Sequence, residues 1–212
     1  MAIITPKNVT KSLKIFEKDD QTVIFLPMVH LAKAKFYDEV KIVIDSLKKE
    51  GFTVFYEQIS VYKNQQKDTL DKNIRKLRKM FGANIVGPYN KKDNHSLPSL
   101  FKNKKYVSQQ NIKLGLDSLD IIADLELTEL IRLRELKEGK IVLTDCDFKT
   151  DLNEKYKCKT VGKYYATHIL RDSIAANVVL KANKKKSLIV FGKAHFYGIF
   201  RYFRDEDFLL KE

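Results

Sequence analysis

Two short apolar runs, separated by one helix's length of amphipathic sequence, constrain this chain more than any other feature. Thr22-Val23-Ile24-Phe25-Leu26 has the length and the β-rich makeup of a buried strand. Behind it, Phe36, Val40, Val43, Ile44 and Leu47 recur at steps of three and four, which lines one face of a helix with apolar side chains. Lys48 and Lys49 suit the negative end of that helix's dipole, and Gly51 is placed to stop it. Phe52-Thr53-Val54-Phe55-Tyr56 then reads as a second buried strand. Strand, helix and strand within about 35 residues make a βαβ unit, whose two strands are expected to be parallel neighbours.

The alternation continues. A helix is expected over Thr69 to Met80, with Leu70, Ile74, Leu77 and Phe81 on one face and Gly82 behind it, then a strand from Ala83 to Val86 ended by Gly87-Pro88. Ile121 to Leu127 suits strand or helix, Leu127 to Leu136 is helical with a stop at Gly139, and Ile141 to Thr144 reads as a strand leading to Asp145 and Asp147. A long helix fits Gly162 to Asn183, and Ser187 to Phe191 is the last strong strand. Near-continuous apolar strands alternating with helices define an α/β fold, a central mostly parallel sheet covered by helices. Residues 1–212 are read as a single domain, with a polar, Lys-rich surface loop at about 89–111.

Composition narrows the function. Apolar residues are 44% of the chain, enough for a core and against wholesale disorder. No apolar stretch approaches the roughly 18 residues of a membrane span, and no apolar segment follows a basic start at the N-terminus, so a cytoplasmic protein is expected. The formal charge of +13 raises nucleic-acid binding, but 33 of the 40 basic residues are dispersed lysines, and no nucleic-acid motif accompanies them. A solvated lysine surface is the better reading. Cys146 and Cys158 do not have zinc-knuckle spacing, and in a reducing compartment both are expected to be free thiols.

Three side chains fall at equivalent places. His30 lies just beyond the first strand, Glu57 directly after the second, and His195 just beyond the last. Ligands of open parallel sheets bind outside the carboxyl ends of the strands, so these three could share one crevice. Two imidazoles and a carboxylate suit a divalent metal that activates water; the same trio without metal suits general acid–base chemistry, and spacing does not choose between them. Gly192, three residues before His195, removes a Cβ where something must approach closely. Arg171, on a helix with His168, Ala175 and Val178, could orient a carboxylate or stabilise an oxyanion, or simply pair with Asp172 or another acid. Asp145 and Asp147 could add carboxylates to a site, although acids after a strand more often form turns; His95 and His168 are given no role.

The segment VIFLPMVHLAKAKFYDEVKIVIDSLKKEGFTVFYE resembles the opening of the TraB/PrgY/Tiki family, relatives of the EreA/ChaN-like proteins, with a strand leading to Gly-x-x-His, a helix, and a strand ending in Glu. LIVFGKAHFYGIF is similar to the family's second Gly-x-x-His motif, RDSIAANVV to its Arg-Asn pair on a helix, and ADLELTEL to an acidic internal motif. The order agrees from Val23 to Ile199. Two positions depart from the pattern: Pro27 stands where the family has Gly, and Asp172 where Asn is usual. The resemblance implies an EreA/ChaN-like α/β fold and a metal-dependent hydrolase acting on an amide or ester bond of a peptide, ester or other small molecule. His30, Glu57 and His195 would hold the ion, and Glu57 and Arg171 would take part in catalysis. The alternative it carries is a non-catalytic protein that binds a small ligand or haem in the same crevice. Nucleic-acid binding ranks third.

Overall fold

Strand–helix alternation runs through the computed structural model, which describes residues 8–61, 66–85 and 106–211. In chain order the elements are β1 (Lys14–Lys18), β2 (Gln21–Met28), β3 (Leu31–Ala32), α1 (Ala34–Lys49), β4 (Thr53–Tyr56), α2 (Lys67–Phe81), β5 (Val107–Ser108) and β6 (Ile121–Ile122). They continue with α3 (Leu127–Glu138), α4 (Asp145–Lys149), a π-helical segment (Tyr165–Leu170), α5 (Arg171–Ala182), β7 (Lys186–Gly192), α6 (Phe196–Asp205) and β8 (Leu209–Lys211). Two compact units form, one from residues 8–58, 106–124 and 171–211, the other from residues 59–85 and 125–170 where described. Among the described residues no helix is long and apolar enough to cross a membrane.

The first unit is built on a six-stranded sheet of order β6-β4-β7-β2-β1-β8, in which β6, β4, β7 and β2 are parallel and β1 and β8 are antiparallel additions. This corrects one expectation. β2 and β4 are parallel, but they are not neighbours, because β7 lies between them and pairs with both. A strand from near the end of the chain therefore completes the middle of the sheet, and the crossover through α1 skips one position.

Side chains alternate across this sheet as the pleat requires. Ile24, Leu26, Met28, Val54, Leu188 and Val190 turn to one face, where Phe36, Tyr37, Val40, Ile44 and Leu47 of α1 cover them. Val23, Phe25, Phe55, Ile189 and Phe191 turn to the other, under Ala175, Ala176 and Val179 of α5 and Phe196, Ile199 and Phe203 of α6. Each fully buried Phe of this second face contributes on the order of 2–3 kcal/mol of burial free energy. Helix α1 ends as its sequence suggests: Gly51 adopts φ +87°, and the Phe52 amide returns to the Leu47 carbonyl at 3.0 Å.

Pro27 costs this sheet nothing. The Thr22 amide donates to Lys185, so the even-numbered amides of β2 point to β7 and the odd-numbered ones to β1. The β1 register stops at Phe25, so Pro27 falls where, among the described residues, no strand awaits an N–H from that side.

In the second unit, the expected strand at Ile141 to Thr144 does not form. Thr144 instead caps α4: its amide and hydroxyl both donate to Asp147 Oδ2, at 2.8 and 2.9 Å, and the Asp147 amide returns to the Thr144 carbonyl at 2.9 Å. Residues 83–85 form no strand, and Val86, with most of the expected loop at 89–111, lies outside the described residues. Helix α2 buries Leu77 as expected, but it also buries Arg78 and Lys79. Arg78, with no exposed surface, donates to the carbonyls of Asp147, Thr150 and Asp151, and Lys79 Nζ meets Asp147 Oδ2 at 2.6 Å. Tyr156 donates to the other carboxylate oxygen at 2.6 Å. Burial alone would raise the Asp147 pKa; these bonds outweigh it and hold the group well below the ordinary carboxylate range.

The same segment is tied by a Cys146–Cys158 disulfide, with Cα atoms 5.9 Å apart. Both cysteines were expected as free thiols, and this is the second correction: folding of the intervening turns brings them to bonding distance, which sequence spacing does not reveal. Cα atoms at this separation are within the range that a disulfide spans. Closing a loop of this size stabilises by about 3 kcal/mol. Native chain should therefore take up no iodoacetamide until reduced and two equivalents afterwards, by mass. Replacing both cysteines with Ser should lower unfolding free energy in urea by about 3 kcal/mol.

Candidate active site

Four parallel strands end at one rim of the first unit, and each delivers a polar side chain just beyond its last residue. Asp124 follows β6, Glu57 follows β4, His195 follows β7 through the short 3-10 turn Lys193–His195, and His30 follows β2. Helix α5 begins with Arg171 and Asp172. Each is held by a local device. The Glu57 amide donates to the Val190 carbonyl at 3.0 Å, extending the β4–β7 ladder by one step. The His30 loop is fixed by the Tyr37 hydroxyl on the Val29 carbonyl (2.9 Å), by the Gln109 amide on the His30 carbonyl (3.1 Å), and by the β3–β5 pairing.

Glu57 is the centre. Its side chain is 7% exposed; Oε1 accepts from Arg171 Nη2 at 2.7 Å and Oε2 from the Gly192 amide at 2.6 Å. His195 Nε2 stands 3.7 Å and His30 Nε2 4.0 Å from the same Oε1. The structure thus brings His30, Glu57 and His195 together, with Arg171 beside them. Burial pushes the Glu57 carboxyl up, but Arg171, the two histidines and the Gly192 amide prevail and bring it down to about 2. The His30 imidazole, 40% exposed, is lowered chiefly by burial, with Arg171 and His195 adding to the shift and Glu57 opposing it. At neutral pH Glu57 is ionised and His30 neutral.

Arg171 is sealed in. Its Nε and Nη2 reach the two oxygens of Asp124 at 2.9 and 2.5 Å, a bidentate pair, while Nη2 also serves Glu57. Burial disfavours the charged guanidinium, and the two carboxylates more than compensate, so its pKa is raised. The acids that pair with Arg171 are therefore Asp124 and Glu57. Asp172 instead meets His195 Nδ1 at 2.5 Å through Oδ1.

The glycines of Gly192-x-x-His195-x-x-Gly198 make room for those acids. A Cβ on Gly192 would stand 3.0 Å from Glu57 Oε2, and one on Gly198 would fall 1.7 Å from Asp172 Oδ2. Reading the sequence singled out Gly192 and His195 but did not give Asp124 or Asp172 a place in the site. The signal for Asp124 is its position: it follows the Ile121-Ile122 pair and Ala123 much as Glu57 follows its own strand. Asp172 was marked only as the acid beside Arg171, standing where an Arg-Asn pair would have Asn. Asp145 and Asp147 serve α4 in the second unit, His168 lies on the π-helical segment, and His95 is outside the described residues.

Compared with known proteins, the chain matches no family model, no curated protein and no solved structure. The reading of the site rests on its own geometry.

Two measurements check that geometry. Gly198→Ala should cost about 1–3 kcal/mol by urea denaturation, because Asp172 must abandon its seat, whereas Gly162→Ala, with nothing within 4 Å of the new Cβ, should stay within about 0.5 kcal/mol of the parent. Glu57 titrates lower in the folded chain than in the unfolded one, so its contribution, on the order of 3 kcal/mol, is complete above about pH 5 and lost as pH falls toward 2. In Glu57→Gln this part of the acid limb of stability against pH should flatten.

Proposed function

We propose that the chain is a metal-dependent hydrolase acting on an amide or ester bond, with His30, Glu57 and His195 as ligands of one divalent ion, in keeping with its resemblance to the TraB/PrgY/Tiki family and the EreA/ChaN-like fold. The observation that carries the reading is the approach of two imidazole Nε2 atoms to the same carboxylate oxygen, at 3.7 and 4.0 Å. Those distances are too long for hydrogen bonds. They exceed the roughly 3.3 Å that separates neighbouring ligand atoms around a tetrahedral ion with bonds of about 2.0–2.1 Å, so a bound ion would draw the side chains inward.

Charge supports the same assignment. Asp124, Glu57 and Asp172 set three carboxylates against the one guanidinium of Arg171, which leaves two negative charges when the imidazoles are neutral. A divalent cation balances them. Ligation needs neutral imidazole and ionised carboxylate, and the low pKa of Glu57 and the depressed pKa of His30 supply both at neutral pH. The contacts that hold the Glu57 carboxylate ionised favour its service as a ligand.

A bound ion would supply Lewis acidity toward the scissile carbonyl and water ionisable near neutral pH. The chain's own residues set its place. Gly192 N–H and Arg171 hold opposite oxygens of Glu57, and Asp124 holds Arg171. Arg171 therefore acts through Glu57, as a positioning residue. His30, 40% exposed against 6% for His195, is the imidazole within reach of a molecule coming from solvent.

The test is metal content and hydrolysis together. Purified chain should bind one Zn²⁺ or similar ion and cleave a simple ester or peptide probe, with activity lost to a chelator and restored by the ion. His30→Ala/His195→Ala should fold without binding the ion. Full metal content in that folded double variant would defeat the ligand assignment.

A further inference from the structure

Asp172 is buried, 1% exposed, and has no part in the ligand set just described. A carboxylate so placed needs a partner of complementary charge or a donor. Its sequence neighbour Arg171 is committed to Asp124 and Glu57, and Asp172 Oδ1 meets His195 Nδ1 at 2.5 Å. Two further observations show that the contact is accommodated by the fold. Helix α6 carries glycine at 198, where any Cβ would fall within 1.7 Å of Asp172 Oδ2, and the face of α5 that bears Asp172 seats against that gap. On its other side the His195 ring meets Phe191 edge to face, with centroids 5.4 Å apart at 83°. The ring is gripped by a carboxylate at Nδ1 and by an aromatic wall.

We propose that Asp172 is the positioning residue of His195: it accepts the Nδ1 proton, fixes the ring as the Nδ1–H tautomer, and turns Nε2 as a lone-pair acceptor toward Glu57 Oε1. An ionised carboxylate only accepts, so the hydrogen of this short contact belongs to the ring nitrogen. A neutral imidazole that donates through one nitrogen must accept through the other. The lone pair on Nε2 therefore faces a carboxylate oxygen 3.7 Å away, and a positive charge shared between them is what makes two acceptors at that distance favourable. Only this last clause rests on the function proposed above; the tautomer does not.

The experiment is a long-range ¹H–¹⁵N spectrum of the ¹⁵N-histidine-labelled full chain, free of metal at neutral pH, with the His195 signals identified by their loss in His195→Ala. The parent should show His195 protonated at Nδ1 and bare at Nε2. Asp172→Ala should move the proton to Nε2, while Asp172→Asn, whose Oδ1 still accepts, should keep it at Nδ1. Zn²⁺ affinity should fall about 10–100-fold in Asp172→Ala and less in Asp172→Asn. A proton on Nε2 or on both nitrogens in the parent, or an Nδ1–H ring surviving in Asp172→Ala, overturns the proposal. Should Asp172→Ala fail to fold, a bare Nδ1 in Asp172→Asn overturns it equally. A parent chain with the expected tautomer and no affinity for Zn²⁺ would sink the metal reading and leave the positioning role standing.

Discussion

A guanidinium shut between two carboxylates is the interaction on which the rim of the parallel sheet depends. Arg171 comes from a helix, Asp124 from the end of β6 and Glu57 from the end of β4, and their bonds of 2.5–2.9 Å join three elements that lie far apart in sequence. Taking such charges out of water is expensive, and removing one partner of a buried pair costs about 3–5 kcal/mol. The arrangement is therefore poor as a source of net stability and effective as a means of specifying geometry. It fixes where Glu57 points and keeps it ionised, and both imidazoles are arranged around that point.

The elements of the sheet were legible in the sequence because their periods are strong. β2, α1, β4 and β7 follow from apolar runs and a three-and-four spacing that nothing interrupts, and they carry three of the rim residues, His30, Glu57 and His195. Strand order was not legible, since β7 pairs between β2 and β4 although more than a hundred residues separate it from both, and an apolar run carries no record of its neighbours. Ile141 to Thr144 has a strand's composition, yet Thr144 stands three residues before Asp147, and the reciprocal cap won over β propensity. Arg78 and Lys79 look like solvent-facing members of α2 until the carbonyls of α4 and its following turn, and the Asp147 carboxylate, are placed above them. Asp124 and Asp172 escaped for a related reason. A lone acid has no periodicity, and its meaning comes entirely from the cation or imidazole that folding sets beside it.

Pro27 shows the opposite case, where a proline at the end of an apolar strand has little structural effect. A proline in the third strand of a six-stranded sheet ought to break a ladder, but the register of β1 ends two residues earlier. His30, three residues on, is carried by a loop with its own backbone anchors, the Tyr37 hydroxyl and the Gln109 amide, so the residue at 27 is not needed to hold it.

The two glycines that flank His195 are notches, each cut for an acid that arrives from a different element: Glu57 after β4 for the first, Asp172 on α5 for the second. Gly192 also holds Glu57 through its backbone amide, and neither glycine adopts a backbone conformation reserved to its type. Their presence is a debt to residues more than twenty positions away. In any descendant of this chain that replaced Asp172 with a smaller side chain, position 198 would be released to vary, so the two sites are expected to drift as a pair while His195 between the notches stays put.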